Sequence, residues 1–233
     1  GDGTNRIGTT HFVGEPIGIG ARYMIEKIGI WQTKDAAEAA LYGAKPGDVR
    51  YRDLNSDNKI DNNDRAFHGN LTPTLYGSLT NDLSFKNFDL NLFATFEKGR
   101  TVYNGLNYRL LAGDGYDNHR KEILERWTPD NPSEKYPRAA LAYSNRSSMA
   151  STEFLENADF IKLRSVTLGY TFPQSITRKI RSSNFRVYVS GVNLVTITNY
   201  SGMDPEDSDY GNTARFAPYP ITKSFVVGLN LGF

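Results

Sequence analysis

The sequence predicts an all-β chain whose antiparallel strands form part of the wall of a transmembrane β-barrel, with long loops on one rim. Three observations carry that expectation. Five segments of about 9–13 residues alternate apolar with small or polar side chains, close to the ~9–11 residues that a tilted membrane strand requires. The connections between them alternate between short (86–87, 173–184) and long (99–159, 197–221), as the two rims of such a barrel do. The last segment, FVVGLNLGF, sets Phe225, Val227, Leu229, Leu231 and Phe233 on one face and ends on an aromatic residue. A soluble β-sandwich, in which the apolar faces meet in a dry core, is the competing fold at this level.

Composition narrows the classes. The 233 residues are 39% hydrophobic, with a mean hydropathy of −0.51. No apolar run approaches the ~18 residues of a spanning helix, which leaves open a barrel that carries its apolarity in every second residue. A net charge of +1, from 27 basic and 26 acidic residues, gives no electrostatic footprint for nucleic acid. The absence of cysteine removes disulfides, thiolate metal sites and cysteine nucleophiles. The sequence begins at Gly1 without methionine, signal peptide or lipidation box; either those were removed or the chain is a piece of something longer. Its 14 Tyr, 13 Phe and 2 Trp suit interfacial girdles and also carbohydrate-binding sandwiches.

In chain order, the first 50 residues are glycine-rich, with a strand expected over 22–31 (RYMIEKIGIW) and a helix over 34–42 (KDAAEAALY), where Ala and Glu favour it. Gly43 and Pro46-Gly47 break that segment. After a polar loop, LYGSLTNDLSF (75–85) and FDLNLFATFE (88–97) alternate strictly, with Phe93 the exception. The two residues Lys86-Asn87 between them read as a tight hairpin. A long polar insertion follows, with a short helix expected at 118–127 before Thr128-Pro129. FIKLRSVTLGYTF (160–172) is the third strong strand and FRVYVSGVNLV (185–195) the fourth, its alternation changing phase near Gly191 as a bulge would cause. The expected division is a loop region over 1–74 and a strand region over 75–233 that carries the long loops 99–159 and 197–221.

The loop DLNSDNKIDNND places Asp53, Asn55, Asp57, Lys59, Asp61 and Asp64 at positions 1, 3, 5, 7, 9 and 12 of twelve. That is the spacing of a calcium loop, with position 7 contributing its backbone carbonyl. Asn58 stands where the sharp turn usually takes glycine, and Asn tolerates positive φ. Asp64 departs from the longer bidentate Glu of an EF-hand and resembles the Asp of dockerin-type loops. A structural calcium is the expectation; a metal-free, solvated Asx-turn loop is the alternative.

Several blocks carry a family resemblance: VGEPIG (13–18), GAKPGDVRYRDLNSDNKIDNNDR (43–65), RWTPDNP (126–132), FLENADFIKLRSVTLGYTFP (154–173), RVYVSGVNLVTITNYSGMDPE (186–206) and the final GLNLGF. Together they resemble the carboxyl-terminal part of SusC/RagA-type TonB-dependent outer-membrane transporters of Bacteroidota. The resemblance implies a 22-stranded barrel in full-length members, of which this chain would supply about the last quarter, and location in the outer membrane of a Gram-negative bacterium. It implies a SusD-like lipoprotein partner, a TonB complex acting through a plug not visible in this sequence, and recognition of the terminal strand by the barrel-assembly machinery through Phe233. The cargo it implies is a glycan, an oligosaccharide or a peptide. Residues 1–74 and the long loops would lie on the extracellular side.

Other constellations are weaker. His11, His68 and His119 lack metal-ligand spacing, and no nucleophile elbow, P-loop or HExxH occurs, so no enzyme is expected. Tyr103, Tyr108, Tyr116 and Trp127, in or beside the long insertion, are candidates for stacking on sugar rings, against the plainer reading that they pack the loop. The rival function is a secreted or surface β-sandwich that binds carbohydrate with calcium support.

Overall fold

The structure is a computed structural model that describes residues 6–7, 11–12, 21–113, 118–141, 144–147, 151–206 and 221–233. The strands are β1 (Arg6–Ile7), β2 (His11–Phe12), β3 (Ala21–Ile25), β4 (Lys27–Ile30), β5 (Val49–Tyr51) and β6 (Arg65–Asn70), then β7 (Leu75–Phe85), β8 (Phe88–Lys98) and β9 (Thr101–Tyr103). They continue with β10 (Leu155–Asn157), β11 (Phe160–Thr171), β12 (Asn184–Thr198) and β13 (Ser224–Gly232). Three short helices are α1 (Ala36–Leu41), α2 (Gly105–Leu111) and α3 (Gln174–Thr177). Among the described residues no helix is long and apolar enough to cross a membrane.

The chain divides into two compact units interleaved in sequence. The first takes its described residues from 1–72, 100–157 and 201–218. It holds four two-stranded sheets: β1 with β2, β3 with β6, β4 with β5, and β9 with β10. Three small apolar clusters stand in for a single core. Ile30, Val49, Tyr51 and Trp127 form one; Trp31, Ala39 and Ala44 a second; Tyr108, Leu111, Ala112, Tyr136 and Phe154 a third. Helix α1 forms because AAEAAL is nearly all strong helix former, and Gly43, at φ 63°, ends it. Gly47 is obligatory: at φ 88°, and with a Cβ falling 2.5 Å from the Trp127 ring, no side chain fits there.

The second unit takes its described residues from 73–99, 158–200 and 221–233 and is one five-stranded antiparallel meander, in the order β13-β12-β11-β8-β7. Alternation of apolar with polar or small side chains makes these strands, and Lys86, in the left-handed region at φ 55°, closes the β7–β8 hairpin at the expected two residues. The β11–β12 connection lies at the same rim: the Thr171 N–H donates to the Asn87 carbonyl at 2.8 Å. Both long connections leave from the opposite rim.

The expected long strands are therefore found almost to the residue. Elsewhere, local reading was overridden by pairing. The 22–31 strand breaks at Glu26, because β3 pairs with β6 and β4 with β5. The expected 118–127 helix shrinks to a five-residue 3-10 turn, Lys121–Glu125, since the Trp127 N–H leaves the helical path to donate to the Tyr136 carbonyl at 2.9 Å. The bulge near Gly191 lies two residues on: Leu163 pairs with Val195 and Ser165 with Val192, and Asn193 takes φ 54°. Helix α2 went unpredicted; its signal was Asn104, which accepts the Asn107 N–H at 3.0 Å as N-cap. The two units part at 72/73, and most described residues of the long loops, within 100–157 and 201–206, fall in the first unit.

Candidate functional site

The five-stranded sheet has two chemically distinct faces, and register fixes both. Leu83, Leu90, Leu168, Val189 and Val227 are directly opposite one another across all five strands. Phe85, Phe88, Tyr170, Val187 and Leu229 form the next row. The result is an apolar band whose next row is interrupted by Asn81 opposite Leu92. Many of its large side chains are exposed, Leu79 at 66% and Val227 at 72%. A sandwich would cover such a face with a second sheet. Among the described residues of this unit there is no second sheet, and the sandwich reading is not favoured.

The opposite face is a polar ladder. Asn91 donates to Asp82 at 2.6 Å, and the Thr167 and Ser190 hydroxyls meet at 2.8 Å. Arg164 Nε donates to Thr95 Oγ1 at 2.9 Å. Arg186 forms a two-pronged ion pair with Asp89, its Nε 3.0 Å from Oδ1. Gly169 leaves the space that this pair fills, and Gly228 the space under the Tyr188 ring. Polar atoms bonded to one another across strands suit a wet surface, and an apolar face on the reverse suits lipid.

In the first unit, the Asp/Asn loop closes on its own hydrogen bonds. Asp53 accepts from the Ser56 N–H at 2.7 Å and the Asn58 N–H at 2.9 Å, and Tyr42 Oη donates to it at 3.3 Å. Asp57 accepts from Lys59 N–H, Asp61 from Asn63 N–H, and the buried Asp64 from Leu54 and Asp61 N–H. Asn55 Nδ2 donates to Asp57 at 3.0 Å. Desolvation raises the Asp53 pKa, but the Asn58 and Ser56 amides outweigh it and hold the carboxyl below its ordinary range. Asn58 does take the left-handed turn, at φ 61°. Among the described residues, no three His, Cys, Asp or Glu side chains gather as a metal cluster. Lys59 offers only its carbonyl.

The aromatic candidates are placed inside the fold. Trp127 is buried in the cluster with Ile30 and Val49, and its Nε1 donates to Gln32 Oε1 at 2.9 Å. Tyr108 is buried against Phe154, rings 5.8 Å apart and edge-on, with half-buried Tyr103 beside it at 6.3 Å. Burial leaves Tyr108 and Trp127 no open ring face for a sugar. Tyr116 lies outside the described residues. The Tyr103 hydroxyl is buried without a hydrogen-bond partner; burial first, then the Glu153 carboxylate, pushes its pKa far above the ordinary 10.0.

What sequence reading missed is a cavity of about 820 Å³ within this unit. Lys27, Arg120 and Lys135 line it together with Glu122, Glu134 and Glu153. A polar knot forms part of its wall. Glu156 accepts from Asn104 at 2.9 Å, from Asn107 at 3.2 Å and from the Ser201 N–H and hydroxyl at 2.8 Å. Arg120 donates to Asn107 Oδ1 at 2.5 Å. No spacing in the sequence links residues 27, 120, 156 and 201, so only the fold could reveal it.

No family model matches the chain. Among curated proteins it is similar to TonB-dependent receptor P3 of Formosa agariphila, 32% identical over 96% of this chain and 23% of that protein. It is similar also to TonB-dependent receptor SusC of Bacteroides thetaiotaomicron, 28% identical over 81% of this chain and 18% of SusC. Among solved structures it is similar to the RagAB peptide transporter, with a TM-score of 0.72 and 26% identity over 91% of this chain and 22% of that one. The RagAB peptide importer in its open-open state gives a TM-score of 0.71 and 25% identity. The chain thus spans about a quarter or less of the length of the relatives it matches, and its sheet matches their barrel without closing one. The chain is a partial, carboxyl-terminal region of a SusC/RagA-like TonB-dependent transporter.

Proposed function

We propose that the five-stranded sheet is barrel wall in an outer-membrane nutrient importer of a Gram-negative bacterium, with the first unit on its extracellular side. The observation that carries this reading is the apolar band running unbroken through the Leu83–Leu90–Leu168–Val189–Val227 row, backed by the Asp82–Asn91 and Thr167–Ser190 ladder. The work is binding and gated passage, without covalent chemistry, in line with relatives that are receptors and transporters. Energy enters through TonB, and a SusD-like lipoprotein is the partner, as the likeness to SusC and RagAB supports. For cargo, the mixed charges of the cavity favour peptide over neutral glycan: Arg120 and Lys135 suit a carboxylate and Glu134 an ammonium group, while Lys27 is held by Glu153 at 3.0 Å. The test is fractionation and uptake with the full-length protein. It is expected in detergent-extracted outer membrane, and its deletion is expected to abolish growth on a peptide mixture while growth on free amino acids persists. Recovery as a soluble monomer without detergent would sink the reading.

The Asp/Asn loop is proposed as a structural calcium site, with side-chain oxygens from Asp53, Asn55, Asp57, Asp61 and Asp64 and the carbonyl of Lys59. Its spacing and the left-handed Asn58 support this. Asp53 accepts three of the hydrogen bonds given above and the other carboxylates two or fewer, against about four lone pairs each, so acceptor capacity is left. Binding would draw these side chains together and rigidify the loop. Calorimetry that detects no uptake by chelator-treated protein at millimolar calcium overturns it.

A further inference from the structure

The rim that carries the two short connections has a chemistry of its own. Residues 172–183, FPQSITRKIRSS, hold Arg178, Lys179 and Arg181, and the β7–β8 turn adds Lys86. No Asp or Glu occurs from 172 to 188. All four cations are exposed, and among the described residues none forms an ion pair; Arg178 donates only to the amide oxygen of Gln174, at 3.3 Å. Asp89, in the first residues of β8 after that turn, is already paired with Arg186.

The segment is held rather than loose. Thr177 and Ser182 are buried. The Ser182 hydroxyl donates to the Gly232 carbonyl at 2.6 Å, the Ser183 N–H donates to the same oxygen at 2.7 Å, and the Ser182 N–H returns to Thr177 at 3.0 Å. With that side anchored, Ile176 and Ile180, four residues apart on one helical face, stay exposed at 41% and 47%. Together they present a small apolar surface outward.

Next to these residues lies a chain of aromatic rings. Phe88 is 4.7 Å from Tyr170, Tyr170 is 5.0 Å from Phe172, and Phe172 stacks on Phe185 at 4.5 Å. Phe85 adds an exposed ring, with the Lys86 ammonium 5.3 Å from its centre. Aromatic rings in such a belt settle at the level of lipid headgroups. Cations just beyond them meet anionic phosphates, while flanking aliphatic groups dip into the acyl boundary.

We propose that this rim binds the anionic headgroups of phospholipids in the leaflet it faces, through Lys86, Arg178, Lys179 and Arg181, with Ile176 and Ile180 inserted beside them. The inference rests on the sheet standing in a bilayer, as proposed above. Charge complementarity and continuity with the aromatic belt select a lipid surface over a soluble anion, which would leave the isoleucines without a role.

The test uses full-length protein in nanodiscs of mixed phosphatidylethanolamine and phosphatidylglycerol. Native mass spectrometry of the released protein is expected to show phosphatidylglycerol retained over phosphatidylethanolamine. In the combined Lys86→Ser, Arg178→Ser, Lys179→Ser, Arg181→Ser variant that preference should fall about tenfold or more. In a second variant, Ile180→Trp, bromine-labelled phosphatidylglycerol is expected to quench the introduced indole, and inorganic phosphate is expected neither to quench it nor to displace lipid. An unchanged lipid preference in the four-site variant overturns the proposal. So does an indole that the labelled lipid does not reach, which would place the segment against a soluble partner. Wild-type protein that fails to enter the discs overturns the barrel reading itself, and is recognised by its absence from the disc fraction.

Discussion

At the scale of single residues, the first unit is held by hydrogen bonds more than by a large core, so its exceptions are informative. Tyr103 is one: its ring packs against Tyr108 and Phe154, while its hydroxyl is buried without a hydrogen-bond partner. A buried, unsatisfied hydroxyl costs about 1–3 kcal/mol, so Tyr103→Phe should stabilise the protein by about 1 kcal/mol at neutral pH. The pH dependence has a definite sign. The folded-state pKa is raised by burial above the ordinary 10.0, so Tyr103 has no effect on the pH dependence of stability below pH 10. Above it, the unfolded chain releases the phenolic proton and the folded one holds it, and stability falls as pH rises. The gain from Tyr103→Phe should therefore widen between pH 10 and 11, read as the difference in thermal midpoint between the two proteins. An equal or lower midpoint for the variant at both pH values would mean that the hydroxyl has a partner in solution.

At the scale of elements, the long strands were legible because each writes its own face into every second residue. Leu79 and Ser78 of β7 show how sharp that code is. They are neighbours, yet Leu79 lies opposite Ala94 on the apolar face and Ser78 opposite Thr95 on the polar one. Leu79→Arg should cost about 2–4 kcal/mol if its face meets mid-bilayer lipid, whereas Ser78→Arg should stay within about 0.5 kcal/mol. Measured as folded full-length protein recovered in the outer membrane, the first change should lower the yield severely and the second barely. Equal tolerance of both would remove the lipid-facing assignment. The short elements were illegible for the converse reason. Glu26 carries no turn signal, yet the chain changes sheets there, because β6 and β5 are supplied by residues about 25–40 positions downstream. Likewise the Glu156 knot joins residues 104, 107 and 201, a meeting that no local pattern encodes. The Asp/Asn loop falls between these cases: its spacing was readable, and so was the left-handed turn at Asn58, but its carboxylates cap backbone amides within the loop.

At the scale of the whole molecule, the decisive feature is that, among the described residues, β7 and β13 each pair on one side only. β13 has nine residues, and roughly half of them direct an N–H and a C=O to the open side. In hydrocarbon each unsatisfied group costs about several kcal/mol, so one open edge outweighs the ~5–15 kcal/mol that stabilises an ordinary domain. Nor do five strands remove the edges by curling on themselves, since even small barrels need about eight. The sheet is therefore a stable membrane element only when strands beyond these five cover both edges, which agrees with a chain that matches about a quarter or less of its relatives. Produced alone and refolded in detergent, residues 1–233 should aggregate through those edges. On a gel they should migrate identically with and without boiling, whereas the full-length protein should show the heat-dependent shift of a closed barrel. Adding backbone blocks to the edge, such as Val227→Pro with Leu79→Pro, should reduce the aggregation without producing that shift, because closure and not solubility is what the five strands lack. A monodisperse 1–233 with a heat-dependent shift would show that this sheet completes a barrel from copies of itself, and would replace the wall-segment reading with a homo-oligomeric one.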